Sequence, residues 1–193
     1  MVRHTARLFA VALASFALLS AGPAEAAKSK AFLESEDAKE KDEPQKYLKD
    51  YDKLMKGKDA DWVYFPEGAG LKKGASVTVK EFEGNGRGRE SKDAARDGKD
   101  YMEKWLEKQG YKIVPSGAEV TIEGNVFNAW EPHGAARYWG GWAANPGVGM
   151  EIVAKDPKGT VLAEIRHKSK GSTIRDAVEN GLEDVAKSLA AGK

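Results

Sequence analysis

The sequence predicts an α+β fold: a two-layer sandwich in which amphipathic helices cover one face of a mixed, mostly antiparallel sheet. Three observations carry that expectation. From Glu119 onward apolar or small residues recur at every second position: Val120, Ile122, Gly124 and Val126, then Val148, Met150, Ile152 and Ala154, then Val161, Ala163 and Ile165. That is the period of half-buried strands. Two other stretches repeat at helical spacing, one through Ala94, Ala95, Gly98, Tyr101, Met102, Trp105 and Leu106, the other through Ile174, Ala177, Val178, Gly181, Leu182, Val185, Ala186 and Leu189. Helices and strands that are apolar on one side only bury those sides against each other.

The chain opens with the three parts of a secretory signal. Arg3, His4 and Arg7 precede an uncharged run from Leu8 to Leu19; Gly22 and Pro23 break it, and Ala24-Glu25-Ala26 supplies a small-x-small cleavage site. A membrane-spanning helix needs roughly 20 apolar residues, and this run stops short of that. Residues 1–26 are therefore expected to be a cleaved signal peptide, with the cut after Ala26 and Ala27 as a near alternative. The sequence contains no cysteine. This excludes disulfides, thiol chemistry, thiolate metal sites and the lipid-bearing cysteine of a bacterial lipoprotein. The expected mature form is exported to the periplasm or beyond, soluble, not lipidated and without a transmembrane span.

Residues 27–43 are almost wholly polar, with Phe32 and Leu33 as the large apolar exceptions, and read as a flexible charged leader. Residues 44–193 are expected to form a single domain. Pro44 suits a helix start, and Tyr47, Leu48, Tyr51, Leu54 and Met55 then predict one face of a helix ended by Gly57. Trp62–Phe65 is a short β-prone run closed by Pro66-Glu67-Gly68. Ser76–Phe82 alternates as a second strand. Gly110 stops the helix that follows, and Tyr111–Val114 reads as a third strand. Asp156-Pro157-Lys158-Gly159 fits a type I turn between two strands. Ser172 is placed to cap the last helix. Gly98 and Gly181, lying inside apolar stripes, predict close approach of each helix to the sheet.

Composition limits the partners. The full chain carries 31 basic and 30 acidic side chains. Arg3, Arg7 and Glu25 leave with the signal, so the mature chain balances, without the basic excess of a nucleic-acid binder. Two segments stand out as candidate sites. In Gly84–Arg89, backbone amides around Gly86 and Gly88 ahead of a helix could hold an anion or lipid headgroup, with Arg87 and Arg89 adding charge-assisted bonds, or the segment is a surface loop. It matches neither the dinucleotide fingerprint nor the P-loop. The second runs from Trp130 to Trp142 and holds Glu131, His133, Arg137, Tyr138 and Trp139. It reads either as an aromatic platform for a sugar or peptide, or as a long β-connection whose aromatics plug one end of the sheet. The adjoining Gly-Gly and Pro favour the plug.

No metal site is expected, because His133 and His167 lack ligand-spaced partners, and no cofactor is called for. Asp59, Asp61, Glu81 and Glu83 do not match a Ca²⁺ loop. No nucleophile elbow occurs. Glu131 with His133 is the one acid/base pair that an enzyme could use.

From about Asp61 to Ala190 the chain resembles uncharacterised bacterial envelope domains, many of them lipoproteins. The residues that carry the resemblance are Val77–Phe82, Leu106 with Gly110-Tyr111, Ile122-Glu123-Gly124, Gly134–Arg137, and Met150–Leu162 with its Asp156-Pro157-Lys158-Gly159. The family is the domain-of-unknown-function family catalogued as number four thousand four hundred and ten. The first half is also similar to the amino-terminal domain of the Tol-system translocation protein and to curli-secretion lipoproteins. The resemblance implies an α+β envelope domain engaged in assembly or binding, with no catalytic residues to transfer. The chain departs from lipoprotein members in lacking the lipid-bearing cysteine. The expectation is a non-enzymatic envelope module that binds an envelope protein or glycan, with a cell-wall hydrolase or transferase using Glu131 and His133 as the alternative. The sequence sets no oligomeric state.

Overall fold

The computed structural model describes residues 47–86, 89–131 and 145–192. The expected signal, leader and Pro44 lie outside them. Seven strands form one sheet: β1 (Met55–Lys56), β2 (Trp62–Tyr64), β3 (Ser76–Val79), β4 (Lys112–Ile113), β5 (Val120–Trp130), β6 (Gly147–Lys155) and β7 (Val161–Lys170), in the order β1-β2-β7-β6-β5-β3-β4. Strands β3, β4 and β5 are parallel to one another, and every other pairing is antiparallel. Helices α1 (Arg89–Lys108) and α2 (Ile174–Ala191) lie together on one face. The α+β sandwich expected from the sequence is the fold observed.

The period-two residues do what their spacing requires. Ile122, Val126, Met150, Ile152, Ala154 and Ile165 are buried under α1 and α2, where Met102, Leu106, Leu182 and Leu189 meet them. The β6–β7 turn follows the sequence closely: Gly159 donates to the Asp156 carbonyl at 2.9 Å and adopts φ +82°, a left-handed conformation that favours glycine. The Asp156 carboxylate also accepts from Lys158 N and Thr160 N, both at 2.8 Å.

Close approach at Gly98 involves a side chain rather than the sheet itself. The ring of Phe82 lies between Gly98 on α1 and Gly124 on β5, and a Cβ at either position would come within 2.5 Å of that ring. Gly181 packs directly on Met150 and Ser169 of the sheet. Gly124→Ala is expected to cost about 1–3 kcal/mol by overpacking, and adding Phe82→Leu should recover part of it. Urea denaturation of the single and double variants measures both; additive losses would show that the ring and Gly124 do not share the space.

Three local expectations are corrected. Residues 47–57 are not a helix: the chain bends, makes one 3-10 turn at Tyr51–Lys53, extends at Leu54 and enters β1. A helix this short has little stability of its own, and its amides find better acceptors in the sheet. Lys49 N and Asp50 N each donate to the Glu164 carboxylate at 2.9 Å, and Tyr47 N and Leu48 N to the Tyr51 hydroxyl. Strand β3 ends at Val79 rather than Phe82, although the chain stays beside β5 through Lys80 N to Ile122 O and Glu83 N to Gly124 O. The cap of α2 is Thr173, whose hydroxyl accepts from Asp176 N at 3.0 Å, while Ser172 donates to the Asp176 carboxylate.

Candidate functional site

Antiparallel partners share a face, so the register sorts the polar residues of the sheet. Glu151 opposes both Asn125 and Arg166, Val153 opposes Glu164, Gly149 opposes Asn128, and Gly147 opposes Trp130. All of these side chains belong to the face turned away from α1 and α2. At Val126–Asn128 a register shift inserts Phe127, whose ring packs on Gly149. Trp130 is half-buried, with its indole over Gly147. Trp130, where the aromatic segment begins, is thus joined to Gly147 as its register partner at the end of β5 and the start of β6.

Of the residues expected in that connection, Trp130 and the exposed Glu131 are described; His133, Arg137, Tyr138, Trp139 and Trp142 lie outside the described residues. Of the expected anion loop, Gly86 and Arg89 are described, and Arg87 and Gly88 are not. Gly86 donates its amide to Val126 O at 3.1 Å, and a Cβ there would strike Ser91 and the Phe127 carbonyl. Its glycine therefore serves close packing on β5. Arg89 is exposed and pairs with Asp93 at 3.3 Å.

The centre of this face holds groups that sequence reasoning passed over. Glu151 and Glu164 are fully buried, and Asn125 and Arg166 nearly so. The Arg166 guanidinium contacts Glu151 Oε1 and lies 3.8 Å from the centre of the Phe127 ring, a cation–π distance. Tyr51 donates to Glu151 Oε1 at 2.7 Å, and Asn125 Nδ2 to Oε2 at 3.4 Å. Burial pushes the Glu151 carboxyl above its usual range, against the pull of Arg166 and these hydrogen bonds. Burial, with the carboxylate as neighbour and acceptor, likewise raises the Tyr51 phenol. Leu48, Leu54 and Val153 make a small apolar cluster beside the ions.

A second polar group sits on the helix side of the sheet. His167 is buried inside β7. Its Nδ1 lies 3.0 Å from Asp61 Oδ2 and its Nε2 lies 3.7 Å from Asp184 Oδ2. Burial alone would lower its pKa, but the Asp184 and Asp61 carboxylates outweigh burial and raise it to about 9. Ala60 N donates to Ser188 Oγ at 3.0 Å, so the imidazolium and this bond together join the β1–β2 loop to α2. The charged residues at alternate strand positions are visible in the sequence, but their partners lie 100 and 106 positions away and leave no local signal. Among the described residues no helix is long and apolar enough to cross a membrane, and no cluster of three or more metal-ligating side chains occurs.

These features define an α+β sandwich module with helices on one sheet face and a buried ionic network on the other. No protein-family model matches the chain, and no curated protein matches it. Among solved structures it is similar to a single-substitution variant of the PelC dodecamer from Paraburkholderia phytofirmans, at 22% identity and a TM-score of 0.44 over 67% of this chain and 90% of that one. The PelC dodecamer itself, in another crystal form, gives 21% identity and 0.44 over 67% and 91%. A minor lipoprotein from Acinetobacter baumannii gives 8% identity and 0.34 over 61% and 94%.

Proposed function

We propose that the chain is a non-enzymatic binding or assembly module of the cell envelope, of the type its sequence resembles, exported by its N-terminal signal. Its ligand site is the aromatic connection: Trp130, Glu131, His133, Arg137, Tyr138, Trp139 and Trp142. The observation that supports this reading is the pairing of β5 and β6 up to Trp130 and Gly147, with the Trp130 indole over Gly147. An aromatic-rich connection anchored at both ends by a paired ladder has a rigid base, which lowers the ordering cost of binding. The partner is an envelope protein or glycan, met through aromatic faces with Glu131, His133 and Arg137 as polar contacts.

Titrating the mature protein with peptidoglycan fragments, envelope glycans and envelope proteins, read by tryptophan fluorescence, tests this. A saturable change that Trp139→Ala and Trp142→Ala weaken at least tenfold is expected. No change with any of them removes the platform. Turnover of cell-wall material, lost in Glu131→Gln and His133→Ala, would make the chain an enzyme instead.

A further inference from the structure

The sheet face opposite the helices changes character along β6. Residues 47–54 meet it through Glu151, Val153 and Glu164, toward the end of that strand. Toward its start, beyond Glu151, two rows cross the three central strands: Trp130–Gly147–Lys170 and Asn128–Gly149–Lys168. Each row has glycine in the middle, and an aromatic ring takes the space that a side chain there would fill. The Trp130 indole lies over Gly147 and the Phe127 ring over Gly149. The indole therefore reaches from β5 across β6 toward the lysine at the far end of its row. Phe127 is buried, whereas Trp130, Asn128, Lys168 and Lys170 are half-buried. The rows carry two cations and no acid; Glu131 follows β5 rather than lying in either. In the next row, the charge of Arg166 is neutralised by Glu151.

We infer that these two rows bind an acidic glycan, with a sugar ring stacked on the Trp130 indole and the polymer's carboxylates paired with Lys168 and Lys170. The C–H groups on the face of a sugar ring suit the electron-rich face of an indole, and lysine ammonium groups give carboxylates charge-assisted hydrogen bonds. Two positions apart on one strand, the lysines project from the same face about 7 Å from each other, a spacing for successive charges rather than one. Their main chain is held in place: Lys168 N donates to Asp61 Oδ2 at 2.8 Å, and Lys170 O accepts from Asn180 Nδ2 at 3.2 Å. A fixed base lowers the ordering cost of binding. Strands β5, β6 and β7 are internal to the sheet, so no strand edge is open here to an added peptide strand, and recognition falls to side chains. The inference rests on the aromatic connection being a ligand site, since Trp130 belongs to both, and it names the class of that ligand.

Calorimetric titration of the full chain with oligogalacturonate, a neutral cello-oligosaccharide of the same length and poly-glutamate tests this. Oligogalacturonate is expected to bind at least tenfold more tightly than the neutral sugar, and added salt should weaken it by screening the half-buried lysines. Lys168→Gln/Lys170→Gln, with unchanged circular dichroism, should lose at least tenfold for oligogalacturonate. Trp130→Ala should weaken it likewise; if that variant does not fold, the lysine pair decides. Undiminished binding by the lysine variant would overturn the inference. Equal affinity for the charged and neutral sugars, lost in Trp139→Ala and Trp142→Ala, would overturn the acidic class and leave the aromatic platform standing. Poly-glutamate binding as tightly as oligogalacturonate would overturn the glycan in favour of an acidic peptide. Absence of binding to all three, together with no response to envelope glycans or proteins, would remove the platform and this inference together.

Discussion

Glu151→Ala is expected to lower the unfolding free energy by about 3–5 kcal/mol, the usual cost of removing one partner from a buried ion pair. Arg166 would be left with its charge in the sheet face, and Tyr51 and Asn125 would lose their shared acceptor. The loss should change little between low and high salt, since the pair is buried and poorly screened. Replacing both charges together, with Glu151→Leu and Arg166→Met, should recover most of the stability. Urea unfolding of the parent, single and double variants measures all of this. A cost below about 1 kcal/mol for Glu151→Ala, typical of exposed pairs, would mean that the network is open to water in solution.

His167→Gln is expected to destabilise the protein strongly in acid and neutral solution and much less in alkali. The folded pKa of about 9 lies above the ordinary value of 6.5, so folding favours the protonated ring. That contribution is fully present below pH 6.5, declines between 6.5 and 9, and is absent above about 9. The shift corresponds to about 3 kcal/mol. On the acid side, Asp61 and Asp184 act in the opposite sense. Burial would raise the Asp61 carboxyl, but His167 and the Lys168 amide hold it below its usual range, and His167 does the same for Asp184. Their contribution is present above the ordinary carboxylate range and lost as pH falls through the depressed values. The difference in unfolding free energy between parent and His167→Gln, measured from about pH 5 to 10, should therefore fall as pH rises. A flat difference would refute the ion triad. Some difference should persist in alkali, because Asp61 N lies 3.2 Å from Nδ1 and can donate to the neutral ring.

Much of the fold was legible because it rests on short-range chemistry. The alternation through Ile122, Met150, Ile152 and Ile165 told which side of each strand faces a core, and the stripes through Met102 and Leu182 told that helices cover it. Asp156-Pro157-Lys158-Gly159 carried its turn in four residues. The aromatic connection was equally visible as a cluster, and the structure adds the paired base at Trp130 and Gly147. The helix expected at 47–55 failed for an instructive reason. Its spacing also suits a segment that drapes its apolar side chains over a sheet, and Glu164 supplied acceptors that a helix would otherwise have provided from within.

What the sequence determined by itself was the layer architecture, the positions of the long strands β5 to β7 and of the two long helices, and the faces of these that must be buried, since each follows from residues a few positions apart. What only the tertiary structure decided was the fate of the polar faces. Glu151, Glu164 and Arg166 have the alternation of a solvated surface, and His167 looks like a strand end. Their burial depends on Lys49 and Asp50 arriving 115 and 114 positions away, and on Asp61 arriving 106 positions away. Local periodicity sets which way a side chain points; whether water or another segment meets it there is set by how the sheet brings distant parts of the chain together.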